Sequence, residues 1–372
     1  MTSRLLASIE GEIESARSEL IADCARARRV CFLVRVGRIE EANAELTALR
    51  DRYRRSPVAE VAARVNVAEG LVNFFSGATH PALDKIRRAH AIAKTACMPR
   101  VAALSSAWLA HMEFSLLHID AMVVHLREAF AHAGPDDHEA RSRASLVAAV
   151  AAHSSDRYDL AKPWYTQARI HATAEGDDAT LSALLHNMAS MGVMNLRQAV
   201  LTGNSESKLA LDALLGTDST SSYDDLKGMV GLETWIPLLR AYVASLVGDP
   251  TRAIQLYLAH IEQAKAEGQE RMLSYIYADL AWCHVQVGEV GLASREASDA
   301  LESLAIETQV DDRAATHSRL AHTFAAMGSA LATGHRNRAK ELWDEYASLQ
   351  GRTVDLLEEL SRYATPAAPA LR

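Results

Sequence analysis

Four histidines, His111, His118, His125 and His132, recur at intervals of seven in a chain that holds 15 in all. Imidazole is a common metal ligand, so the series raises zinc binding first. Its spacing argues against zinc. Ligands that share a helix favour separations of three to five, and His118 falls at a predicted turn, so the four do not lie on one continuous helix. Surface and half-buried histidines are the plainer reading. Other catalytic patterns are missing: there is no G-x-S-x-G, P-loop, G-x-G-x-x-G, H-E-x-x-H or EF-hand loop. No nucleophile–base constellation stands out either. We therefore expect a chain that is not an enzyme, with no catalytic residues, metal or cofactor.

Charge is the second kind of chemistry to consider. Arg26, Arg28, Arg29, Arg35, Arg38, Arg50, Arg52, Arg54 and Arg55 crowd one end of a protein whose formal net charge is −8. Such a segment could meet an anionic partner such as RNA, DNA or an acidic protein face. Arg50 to Arg55, however, fall at the end of a helix, where cations complement the dipole. No interleaved aromatics offer base stacking. Nucleic acid is not the expected partner.

The elements that would position any site are helices. The 372 residues are 49% apolar but only 6% aromatic, and Ala, Leu, Arg and Glu, all strong helix formers, are abundant. Proline (9) and glycine (18) are sparse, and no alternating Val/Ile/Thr run reads as a strand. Cys24, Cys31, Cys97 and Cys283 form no C-x-x-C pair and read as reduced thiols. Residues 1–17 make an amphipathic helix with Glu10, Glu12 and Glu14 in place of a signal peptide. No window approaches 18 uninterrupted apolar residues. These features predict a soluble, cytoplasmic protein with no membrane span, written in the alanine- and arginine-rich style of a bacterium with a GC-rich genome.

A spaced pair punctuates the chain: Gly37–Ala42, Gly77–Ala82, Gly248–Ala253, Gly288–Ala293 and Gly334–Ala339. The glycine suits the left-handed cap that ends one helix, and the alanine lets the next helix pack closely. Asp156–Ala161 and, more weakly, Leu116–Ala121 follow the same rule without glycine. A further unit is expected as a helix over 180–202, a turn at Gly203–Asn204 and a helix through Leu215. The polar stretch Gly216 to Gly228 then reads as an inserted loop. Eight helical hairpins with a period near 40 residues result. Residues 1–22 should form the first helix and cap, 352–363 a capping helix, and 364–372 a frayed tail, so that 1–363 is one superhelix.

The order Gly, x4, Ala, x3, aromatic, best seen in Asp156–Ala168 and Gly248–Tyr257, resembles the tetratricopeptide repeat. The long period is similar to that in the sensor domain of the bacterial maltotriose-responsive transcription activator and in the peptide-receptor regulators of Gram-positive quorum sensing. The resemblance implies an all-α, right-handed α-solenoid that binds through its concave face. In the tetratricopeptide register the inward positions are Arg35, Arg64, Phe74, Glu113, Arg143, His153, Arg197, Trp235, Tyr242, Tyr275, Trp282 and Gln286. Arginines offer a rigid fork for carboxylate or phosphate, and Trp and Tyr are enriched at binding hot spots. The same side chains could equally fill space between hairpins or pair with neighbouring glutamates. The expected function is a scaffold or regulator that holds a protein or peptide partner, acidic and partly apolar, in its groove. The alternative is a sensor for a small molecule or peptide that regulates transcription or another effector. A homo-oligomer is compatible with both.

Overall fold

The computed structural model describes residues 3–204, 220, 234–267, 269–304 and 308–364. These are helical throughout, with no strand among the described residues. Helices α1 (Arg4–Glu14) and α2 (Glu19–Arg35) are followed by α3 (Ile39–Tyr53), α4 (Ala59–Phe75), α5 (Thr79–Thr95) and α6 (Pro99–Ser115). Next come α7 (Ile119–His132), α8 (His138–Ser154), α9 (Tyr158–Glu175) and α10 (Asp178–Leu201). After an interval outside the described residues, which takes in the expected helix through Leu215 and all of the 216–228 loop except Thr220, the chain resumes. It continues with α11 (Trp235–Leu246), α12 (Pro250–Ala266), α13 (Leu273–Gln286), α14 (Val290–Glu302), α15 (Val310–Ala326) and α16 (Leu331–Ala364).

A local backbone device ends the first helix of each pair. Gly37, Gly77, Gly203, Gly248, Gly288 and Gly328 adopt positive φ there, and Leu117 and Asp156 do the same without being glycine. At each of these turns the N–H of the following residue donates to the carbonyl five residues back, at 2.7–3.1 Å. That bond, as in Arg38 to Leu33 or Glu289 to His284, satisfies a carbonyl the helix end would leave orphaned. Five residues past the turn, Ala42, Ala82, Met122, Ala161, Ala253 and Ala293 are all fully buried. Five of these six are alanine, whose small side chain lets paired helices approach closely. Gly70 of α4 shows how closely, since a Cβ there would lie 2.5 Å from Ile86 Cδ1 of α5.

Several boundaries differ from those read in the sequence. In the third pair the left-handed residue is Leu117 rather than Leu116, so Met122 and not Ala121 takes the buried position. The last turn falls at Gly328, whereas Gly334 lies inside α16. The Gly334–Ala339 spacing satisfies the pattern, but the five-back bond forms at Ser329 to Phe324. Residues 352–363 are no separate element: they are the distal end of α16, which runs unbroken for 34 residues because no proline interrupts it. Residues 1–22 contain the break between α1 and α2, where Ser18 caps α2 by accepting from the Ile21 N–H at 3.3 Å. Pro237 stands in the first turn of α11, where its missing N–H breaks no helical bond. Of the expected 364–372 tail, 365–372 lie outside the described residues.

Successive helices pack on one another along the chain, and the first helix of each pair also packs on that of the next through most of the sequence. Other contacts join distant segments. Leu5 N–H donates to Gly176 O at 3.3 Å. Arg197 of α10 pairs with Asp312 at 2.6 Å and with Asp311, both on α15, and Gln309 donates to Ser115 O at 2.8 Å. The distal half of α16 lies on α7 and α8, where Leu357 and Leu360 join the core of Met122, Leu126 and Leu146. Polar contacts flank that seam: Tyr346 and Gln350 donate to Ser154 O at 3.1 and 2.8 Å, and Arg352 meets Asp120 at 2.6 Å. No described helix is long and apolar enough to cross a membrane.

Candidate functional site

Three successive first helices bring aromatic and cationic side chains together. Phe74 lies in the last turn of α4, Trp108 and His111 lie one turn apart on α6, and Arg143 comes from the second turn of α8. The Phe74 and His111 rings meet edge to face at 5.2 Å, and His111 and Trp108 at 5.6 Å. Arg143 lies over the Trp108 ring, its Cζ 4.0 Å from the centroid. Only 6% of Arg143 is exposed.

The electrostatics of this cluster are lopsided. Burial pushes the Arg143 guanidinium down to about 9, and Arg35 adds to the shift. A guanidinium nonetheless keeps its proton at neutral pH, so the charge persists in a poorly solvated place. Burial, with Arg143 and Arg271 beside it, pushes His111 down to about 3, leaving a neutral imidazole. Neutral His111 can both donate and accept a hydrogen bond.

Arg143 has a recognisable place in the repeat. It lies thirteen residues before its turn residue Asp156, as Cys24, Arg64 and Leu104 do before Gly37, Gly77 and Leu117. Those three equivalents line a cleft of about 570 Å³ between α1, α2, α4, α6 and the start of α8. Arg143 holds the equivalent position one helix further on, while the cleft itself takes only the start of α8, Asp137 to Glu139. Within the cleft Arg28 is committed to Glu12, Glu139 and Glu175, and Arg64 donates to Glu60 O at 2.9 Å.

The remaining candidates lie elsewhere. Arg197 is enclosed between its two aspartates, with its Cζ 5.3 Å from the Tyr275 ring centroid. Tyr242 and Tyr275 are buried with their rings 5.5 Å apart. Trp235 is half-buried and donates to Ser190 Oγ at 2.8 Å, while half-buried Trp282 lies 5.6 Å from the His322 ring. Gln286 is exposed at the end of α13. His153 is buried, its Nδ1 3.2 Å from the Tyr165 hydroxyl, and burial pushes it down to about 4. Glu113 is buried between Arg87 (2.9 Å) and His118 (2.8 Å). Arg35 meets Asp177 and Thr180.

Phe74 and Arg143 are therefore joined into one cluster, and Arg197, Tyr242 and Tyr275 into another. Trp108 was missed as a site residue, and His111 was considered only for zinc. The signal was present. Moving the α6 turn from 116 to 117 rotates the inward register by about 100°, one residue of helix, and puts His111 six residues before its turn, as Tyr242 and Trp282 are before theirs, with Trp108 one turn further back. No protein-family model matches the chain, and comparison with curated proteins returns no match.

Proposed function

We propose that the chain is a right-handed, tetratricopeptide-like α-solenoid that works as a non-enzymatic receptor. It encloses a small molecule or short peptide against the inner faces of α4, α6 and α8. Occupancy is passed to an effector as a change in how the ends of the solenoid close on its middle. The observation that carries this reading is the set of ion pairs joining distant helices, Arg35 to Asp177 and Arg197 to Asp311 and Asp312. A long partner segment laid along the trough would have to displace such pairs, and truncating one partner of a buried pair costs about 3–5 kcal/mol. A compact ligand leaves them in place. The regular left-handed turns and neighbour packing support the solenoid itself, and the sequence resemblance to sensor domains agrees with the receptor role.

The test is a thermal-shift screen of purified protein against a metabolite and short-peptide collection, followed by small-angle scattering on each stabilising compound. A stabilising compound that also changes the radius of gyration supports the receptor. Stabilisation only by extended segments of 15 residues or more would favour a scaffold that holds a partner segment in its groove instead.

A further inference from the structure

We infer that Arg143 is the anchor for an organic anion whose flat, unsaturated body lies against Trp108, His111 and Phe74. This rests on the enclosed-ligand reading above and names the ligand's chemistry. Three other arginines bury their side chains, and each has its carboxylate. Arg35 holds Asp177 at 2.6 Å, Arg319 holds Asp279 at 2.6 Å, and Arg197 holds two aspartates. Arg143 has no ion pair and no hydrogen bond among the described residues, although more than nine-tenths of it is buried. The acids that bear on it electrostatically are Glu139 and Asp177, and both are committed, Glu139 to Arg28 and Asp177 to Arg35.

The Arg143 charge is not sealed off from solvent. The sealed, unpartnered polar atoms of the described residues include Arg197 Nε and Tyr242 Oη but none of the three Arg143 nitrogens. The Arg143 fork therefore still touches water-accessible space. A buried cation with neither counter-ion nor hydrogen bonds is costly to maintain, and a carboxylate arriving there gains a charge-assisted, bidentate contact in a low dielectric. The surroundings select the rest of the ligand. A guanidinium laid over an indole keeps its N–H fork free in its own plane. The neighbouring surface is ring edge and face, from His111 and Phe74, which suits a planar body. Neutral His111 can receive or supply one hydrogen bond from a ring substituent.

The experiment uses the full chain with sodium 2-naphthoate as probe and acetate, inorganic phosphate and neutral 2-naphthamide as comparisons. Thermal shift and tryptophan fluorescence are the readouts. The expected result is a melting-temperature rise of about 2 °C or more with naphthoate, at least tenfold weaker binding of acetate and phosphate, and no response to naphthamide. Arg143→Met should abolish the naphthoate response without lowering the melting temperature of the free protein. Arg143→Lys, which keeps the charge and loses the fork, should bind roughly tenfold more weakly. The Trp108→Phe variant should lose the fluorescence change and keep the thermal shift. An undiminished naphthoate response in both Arg143 variants overturns the assignment, as does equal binding of naphthamide. Phosphate binding more tightly than naphthoate would overturn the planar-body assignment. If neutral compounds from the screen stabilise the protein and no anion does, the anchor fails while the receptor reading survives. Naphthoate binding at Arg143 with scattering unchanged sinks only the coupling to closure.

Discussion

Arg35 at the end of α2 and Asp177 at the start of α10 are 142 positions apart, yet the Arg35 Nη2 lies 2.6 Å from both carboxylate oxygens of Asp177. Both side chains are buried, and the aspartate also accepts from the Thr180 N–H at 3.0 Å, so a single group caps α10 and ties it to α2. Burial alone would raise the Asp177 carboxyl, but Arg35 and Thr180 outweigh it and hold it below the usual carboxylate range.

Arg35→Met should therefore cost about 3–5 kcal/mol at pH 7, because it strands a buried carboxylate. In the intact protein Asp177 contributes stability above its unfolded value near 4 and loses it as the pH falls through the depressed native one. The variant's penalty should accordingly shrink towards pH 3.5, where a stranded Asp177 takes up a proton. Urea unfolding at the two pH values measures this. An equal penalty at both would show that the lost side-chain packing matters and the charge does not.

Asp137 should behave in the opposite sense. It flanks α8, lines the cleft, and has one carboxylate oxygen buried with no hydrogen bond among the described residues. Burial, with Glu139 beside it, pushes the carboxyl up to about 6. Its contribution to stability is thus complete below about pH 4 and lost as the pH rises through 6. Asp137→Asn is expected to melt higher than the parent at pH 7.5 and together with it at pH 4, by calorimetry. A difference that ignores pH would refute the assignment.

Gly176 and Gly77 separate two costs of adding a methyl group. Both have positive φ, +76° and +82°. At Gly77 the new Cβ meets nothing within 4 Å, whereas at Gly176 it comes 2.8 Å from Arg4 Cβ of α1. Gly77→Ala should cost only the backbone strain, about 1 kcal/mol. Gly176→Ala should cost more and also release α1. Limited proteolysis is the check: cleavage near residues 15–18 should accelerate in the second variant alone.

Leu357, fully buried where the distal half of α16 meets α7 and α8, tests whether that half belongs to the core. Leu357→Ala should destabilise by about 2–5 kcal/mol. Hydrogen exchange should rise along 346–361 and in α7 and α8. Faster exchange confined to α16 would mean the helix lies on the surface without supporting its neighbours.

What the amino-acid order disclosed follows the range of the interactions involved. Seven of the eight left-handed turns that end first helices were legible to within one residue, because each needs only a helix end and one residue able to take positive φ. Gly334 misled because its spacing to Ala339 copies the rule while Gly328 meets the backbone geometry. Leu117 was displaced by one because neither Leu116 nor Leu117 announces a left-handed cap. That single step concealed the inward place of His111, and with it the Trp108 one turn away.

The sequence by itself determined helix, period and the small residues at which paired helices touch, since these depend on neighbours a few positions apart. Tertiary structure alone decided which cations are paired. Nothing local distinguishes Arg35, Arg197 and Arg319 from Arg143, as all four lie on first helices with little of their side chains exposed. Their fates depend on which acids other helices bring up. Asp177, Asp279, Asp311 and Asp312 reach the first three arginines across 40 to 142 positions, and no carboxylate of the described residues forms an ion pair with the fourth. Small angles between successive helix pairs, summed along the chain, decide which side chains meet, and that sum is not written in any one stretch of sequence.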